Sequence, residues 1–330
     1  MAAKEASALR VVPFAPCHAE PWDNFVWQSN NGTLFHTRAF LSYHPPQRFN
    51  DDSLLFLKEG RLLAVLPAAT RVGEPSRILR SHPGASFGSF VVNADLSLRD
   101  AERLVTHFLA CCRERGYAGA EVTLPPQIYL TRPSNYLDFI LYQHGFRYRK
   151  REVSSVVPLD VPADRALDLF SPESRRAARR AQKLGVRIRE SDDLPTFYEI
   201  LKKNLRLRHN VQPAHSLEEL LQLQQMFPER IRFFAAYAEN GMIAGIVMFV
   251  CNPRVALAFY ISHREDFQRY RGVNLLFYEV FQWCIAQGFR FLDFGIFTVN
   301  MQPNWGLGRF KESFGAKAFF AIRCGWNFSL

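Results

Sequence analysis

The chain states one plan twice. Residues 53–70 read as a strand, a Glu-Gly turn and a second strand, and residues 231–250 do the same through Asn-Gly, a strong signal for a tight hairpin. A further strand follows each hairpin, at 87–92 and 256–262. Then comes a long helix, at 98–115 and 273–287, the first opened by a Ser97-x-x-Asp100 capping pattern. Both helices run into a Gly-aromatic pair and a strand, at 116–124 and 288–294. A short helix ending in glycine follows, at 136–145 and 305–315, and a last strand at 148–159 and 317–325. Helices at 192–208 and 216–226 precede the second hairpin, with weaker counterparts at 22–29 and 37–43. A repeat of this size fixes the architecture as two copies of one α/β unit. The expected domains are 1–158 and 159–330, parting where Pro158, Pro162 and Pro172 punctuate the chain.

Composition supports this. Of 330 residues, 48% are apolar, enough for a core in each copy. The net charge of +10 suits an anionic partner. Cysteines at 17, 111, 112, 251, 284 and 324 form no C-x-x-C and read as reduced core residues. No stretch is long and apolar enough to span a membrane, and the first residues hold no apolar signal core, so the expected location is cytoplasmic. There is no H-x-H, H-E-x-x-H, Walker A or G-x-G-x-x-G pattern, so no metal site or tightly bound cofactor is expected. Gly84-Ala-Ser86-Phe87-Gly88 fits G-x-S-x-G. It leads into a strand instead of a helix, against the geometry of a nucleophile elbow.

The most chemically suggestive stretch is Gly306–Gly315, where a short helix between two strands carries Arg309, Phe310 and Lys311. A cation held there could stabilise charge developing in acyl transfer. The matching helix of the first copy, at 136–145, has no lysine. The segment 175–189 is rich in arginine, with Arg175 and Arg179 among its candidates for phosphate contact.

The order helix, helix, hairpin, strand, helix, strand, helix, strand resembles the GNAT acyltransferase plan. Two such units ending in Phe-Lys-Glu-Ser-Phe-Gly resemble the Fem-type peptidoglycan-bridge aminoacyltransferases and the BioF2-like acetyltransferase-domain proteins. The resemblance implies two tandem GNAT-like domains of α/β (α+β) class, each a mixed, mostly antiparallel sheet flanked by helices. It assigns Phe310 and Lys311 to the transferring carbonyl and leaving group. Tyr260 would lie on the acceptor-lining strand, and Asp293 would orient Lys311 or take a proton. Arg269-Tyr-Arg271-Gly272-Val273-Asn274 stands where coenzyme-A-dependent members carry their phosphate turn, although Asn274 departs from the small residue usual there. Arg206, Arg208 and His209 end a helix within reach of the same cleft. Ser86 and Phe87 belong to a loop expected beside the acceptor groove.

The reading is an acyltransferase that moves an acyl or aminoacyl group from an activated ester to a substrate amine. The donor stays open between acyl-CoA and aminoacyl-tRNA. The acceptor is an amine-bearing small molecule or a peptidoglycan precursor. Transfer RNA and a peripheral membrane contact are further candidate partners, and no DNA is expected. The alternatives are a small-molecule N-acetyltransferase and a non-catalytic module that binds an anionic glycan precursor.

Overall fold

A computed structural model describes residues 9–209, 212–239 and 241–327. The chain divides into two compact units, Met1–Glu152 with Phe320–Leu330, and Val153–Phe319. The division falls inside two strands, whereas the sequence placed it at 158/159.

In chain order the first unit holds β1 (Leu9–Pro13), α1 (Ala19–Gln28), α2 (Arg38–Leu41), β2 (Phe49–Asp51), β3 (Leu54–Lys58), β4 (Arg61–Leu66), β5 (Ala69–Arg71), β6 (Ile78–Ser81), β7 (Val91–Val92), α3 (Leu98–Glu114), β8 (Gly119–Leu124), α4 (Tyr136–Gln143) and the start of β9 (Arg147–Pro158). The second continues with α5 (Pro172–Lys183), β10 (Arg187–Glu190), α6 (Leu194–His209), α7 (Leu217–Met226), β11 (Ile231–Ala238), β12 (Gly241–Asn252), β13 (Val255–His263), α8 (Gly272–Ala286), β14 (Phe291–Ile296), β15 (Thr298–Val299), β16 (Gln302–Pro303), α9 (Trp305–Glu312) and the start of β17 (Lys317–Asn327).

In the first unit β1, β3, β4 and β7 form one antiparallel sheet. A second set runs β17-β8-β6-β5-β2, with β6 and β8 parallel and the other pairs antiparallel. Helix α3 starts at Ser97, whose hydroxyl accepts from Asp100 N. Its buried Ala101, Leu104, Val105, Phe108 and Cys112 recur at helical spacing and close the core over Phe56, Phe90 and Val122. The strand expected at 87–92 shrinks to β7, because Ser89 takes a left-handed φ of 78° and its N–H turns to Ser81 Oγ. The parallel partner of β8 is instead β6, which the sequence reading left unassigned.

The second unit follows the expected plan closely. Its order is β10-β11-β12-β13-β14-β9, antiparallel throughout except β13 with β14. Helix α8 buries Leu275, Leu276, Phe277, Val280, Phe281 and Cys284 against Ile246, Met248, Ala256 and Phe294, in keeping with its all-round apolar sequence. Cys111, Cys112, Cys251, Cys284 and Cys324 are buried thiols, whereas Cys17 is exposed. Among the described residues no helix is long and apolar enough to cross a membrane, and no cluster of side chains has the makings of a metal site.

Candidate active site

The site lies in the second unit, where β13 and β14 part company. Their parallel ladder covers only Val255–Leu257 against Phe291–Asp293. Beyond it β13 runs on to His263, and β14 bulges between Asp293 and Ile296 on its other edge, against β9. The bulge is built at Gly295, whose φ of 71° belongs to the left-handed region. Gly295 N donates to Asp293 Oδ1 at 2.7 Å, and Ser154 Oγ donates to the same oxygen at 2.6 Å.

Lys311 completes this staple. From α9 its Nζ donates to Gly295 O at 2.7 Å and to Ile296 O at 2.8 Å. The side chain is only 3% exposed. Burial lowers its pKa from 10.5 to about 8, while the Asp293 carboxylate pulls the other way. Lys311 is thus neither a solvated helix lysine nor a cation pointing into open space. It ties α9 to two carbonyls of the bulge. Asp293, fully buried, is committed to the same bulge.

Above this floor opens a pocket of about 700 Å³. Its apolar wall includes Ile243, Ile261, Phe267, Val273, Leu307 and Phe310, and its polar wall includes His263, Arg264, Gln268, Arg271, Asn274 and Asn304. Phe310 meets the aromatic core at Phe314, ring centroids 5.1 Å apart, and offers its remaining surface to the cavity. One end of the pocket is the N-terminus of α8. Arg271, at a φ of 55°, is the cap residue there, with no side-chain capping bond, and the first turn carries no acid. Gly272 keeps the helix start close to β12: a Cβ would stand 2.7 Å from Ile243 Cδ1. Free N–H groups, the helix dipole, Arg264 and Arg271 together make this end attractive to an anion. No acidic side chain lines the pocket.

Of the residues singled out by sequence, the structure brings Arg271, Gly272, Val273, Asn274 and Phe310 together in the lining, whereas Lys311 and Asp293 are not among the lining residues. Arg269 points away, 70% exposed and facing Glu239 Oε1 at 3.4 Å. Tyr260 also faces elsewhere. Ile261 and His263 line the pocket, and Tyr260 and Ser262, on the alternate face of β13, meet α6 and the segment before α7. The Tyr260 hydroxyl lies 2.9 Å from His215 Nδ1 and accepts from His215 N, and burial pushes its pKa up to about 12. Arg175 donates to the carbonyls of Leu167, Asp168 and Phe170, which ties down the preceding turn. Arg179 and Arg206 are exposed. The side chains of Arg208 and His209 lie outside the described residues. In the first unit Ser86 is exposed, and Phe87 is buried against Phe35 and Tyr129. No helix follows Gly88, as expected for a sequence that is not a nucleophile elbow.

Sequence reasoning passed over His263, Arg264 and Gln268. Their signal was position: polar residues at the carboxyl end of a strand, just before a helix N-terminus.

Residues 172–311 match the family model described as an acetyltransferase (GNAT) domain. That match lies within the second unit, whose fold is the GNAT fold. No curated protein matches the chain in sequence. Among solved structures, FemX aligns over 97% of both chains with a TM-score of 0.75 at 14% identity. A tandem GNAT protein from the clavulanic acid biosynthesis pathway covers 97% of this chain and 98% of its own, with a TM-score of 0.59 at 14% identity. A conserved protein of unknown function from Bacteroides thetaiotaomicron VPI-5482 covers 97% and 100%, with a TM-score of 0.63 at 9% identity. The fold is that of tandem GNAT proteins of the Fem type, as the sequence resemblance implied.

Proposed function

We propose that the second unit transfers an acyl group from an acyl-coenzyme A thioester to the amine of a small acceptor. The observation that carries this reading is that an uncapped, acid-free helix N-terminus and the end of β13 that runs past its ladder with β14 line one pocket. The pyrophosphate of the donor would sit on the N–H groups of α8, with Arg264 and Arg271 as counter-charges. The pantetheine arm would pass along Ile261, Val273 and Phe310 into the opening, and the thioester would reach the free edge of β13. There the acceptor nitrogen attacks the carbonyl carbon, the C–S bond breaks, and the coenzyme A sulfur leaves. The proton lost by the amine passes to His263, which lines the same cavity, and then to solvent or the departing thiolate.

A covalent acyl-enzyme is not needed. No cysteine lines the pocket, and its two serines are occupied, with Ser174 Oγ donating to Ser313 Oγ and Ser313 Oγ to Phe310 O. Positioning and charge supply the rate. In this reading Lys311 and Asp293 are positioning residues that hold the β14 bulge open.

The test is a thermal shift with coenzyme A and acetyl-CoA on the wild type and on Arg271→Gln. A ligand bound only by the folded chain raises the midpoint. Losing one charge-assisted contact should weaken affinity about tenfold to a hundredfold. Failure of either ligand to stabilise the wild type, alongside turnover with aminoacyl-tRNA, would replace this donor with the aminoacyl one.

A further inference from the structure

The first unit carries a surface that the acyltransferase reading does not use. Tyr136, Phe139 and Tyr142 project from one face of α4, Tyr148 from β9 and Phe320 from β17, and each is between 43% and 53% exposed. The adjoining stretch of β9 reads Arg147-Tyr-Arg149-Lys150-Arg151. The side chains are knit together. Arg147 lies over the Tyr142 ring at 4.9 Å, and Arg151 over Phe320 at 4.1 Å and Tyr148 at 5.4 Å. Tyr148 OH donates to Asp138, so the nearby carboxylate is turned into the patch instead of screening it. Exposed aromatics gathered from three elements cost a monomer in water and call for an occupant.

We propose that this face docks on an anionic phospholipid surface. The rings would enter the boundary between headgroups and acyl chains, where amphipathic aromatic side chains are favoured. Arg147 and Arg151, the two arginines that lie over these rings, would meet the lipid phosphates, in line with the chain's net charge of +10. Ring geometry favours a bilayer over single-stranded nucleic acid. Nucleic acid needs open ring faces on which bases stack, and here guanidinium groups already occupy one face of Tyr142, Tyr148 and Phe320. Such pairs suit an interface at which the arginine head reaches outward while the ring stays inward.

The inference is independent of which acyl donor the second unit takes, and its test reads no activity. The full chain is co-sedimented with phosphatidylcholine vesicles, with and without phosphatidylglycerol. Binding should require the anionic lipid and fall about fivefold for each of Arg147→Gln and Arg151→Gln. It should fall roughly tenfold or more for the double variant Phe139→Ser, Tyr142→Ser. All are surface positions, so the thermal midpoint should hold; if the double variant melts early, Tyr136→Ser serves in its place. Absence of binding to anionic vesicles overturns the proposal. So does binding that the aromatic variants leave unmoved, which would be charge adsorption alone. Retention of single-stranded RNA without vesicle binding, reduced by the same variants, would make the face a nucleic-acid surface.

Discussion

Replacing Lys311 with methionine separates the cost of burying its ammonium from the benefit of its hydrogen bonds. Lowering the pKa from 10.5 to about 8 means that the charged form is disfavoured in the folded chain by about 3 kcal/mol. At neutral pH methionine removes that cost. It also removes the charged donor to Gly295 O and Ile296 O, at about 1–3 kcal/mol each. The two largely offset each other, so the variant should differ from wild type by no more than about 3 kcal/mol near pH 7. Alkaline pH breaks the balance. Between pH 8 and 10.5 the unfolded chain holds a proton on Lys311 that the folded chain has released. Wild-type stability relative to the variant must then rise with pH, by about 1.4 kcal/mol per pH unit, reaching about 3 kcal/mol at the top of the window and fading as pH falls through 8. Urea unfolding of both proteins from about pH 7 to about pH 10.5 gives the difference, in which the tyrosine and cysteine titrations common to both cancel. A difference that stays flat, or falls with pH, would refute the buried, carbonyl-bound ammonium.

Two further outcomes are expected. Tyr260→Phe should cost about 1–2 kcal/mol in urea unfolding through the lost contact with His215, yet leave kcat/KM within a few-fold, because the hydroxyl faces away from the pocket; a large fall in kcat/KM would return Tyr260 to the site. In the first unit, burial holds the His36 imidazole pKa near 4 against an ordinary 6.5. The stability this contributes is complete above 6.5 and is lost as pH falls toward 4, about 3 kcal/mol in all; His36→Gln should flatten that part of the acid unfolding curve, and an unchanged curve would show that the ring is not buried neutral.

The repeat, the hairpins and the helix starts were legible because each is local chemistry: a turn dipeptide, a capping serine, a period of apolar residues. The family resemblance singled out Arg271–Asn274 and Phe310 separately, and the structure brings them to one pocket. Burial of charge is not local. Nothing in Arg309-Phe310-Lys311 tells that Lys311 turns inward, since its partners are carbonyls exposed by a bulge at Gly295. Tyr260 and Ile261 likewise look equivalent until β13 pairs with β12 and its faces are assigned. The arginines of α5 show the converse. They read as one basic run, yet Arg175 is spent on three carbonyls while Arg179 stands exposed.

The final strand gives the chain an order of assembly. β17 begins in the second unit, but residues 322–327 lie against β8 in the first, with Ile322 opposite Leu124 and Asn327 opposite Gly119. During synthesis the first unit emerges early and must wait, one sheet edge unfilled, until β17 has followed the whole of the second unit. The second unit has its strands in hand sooner. A truncation shortly before residue 320 would therefore damage the beginning of the molecule more than its end, and a fusion at the carboxyl terminus would load the unit that starts first.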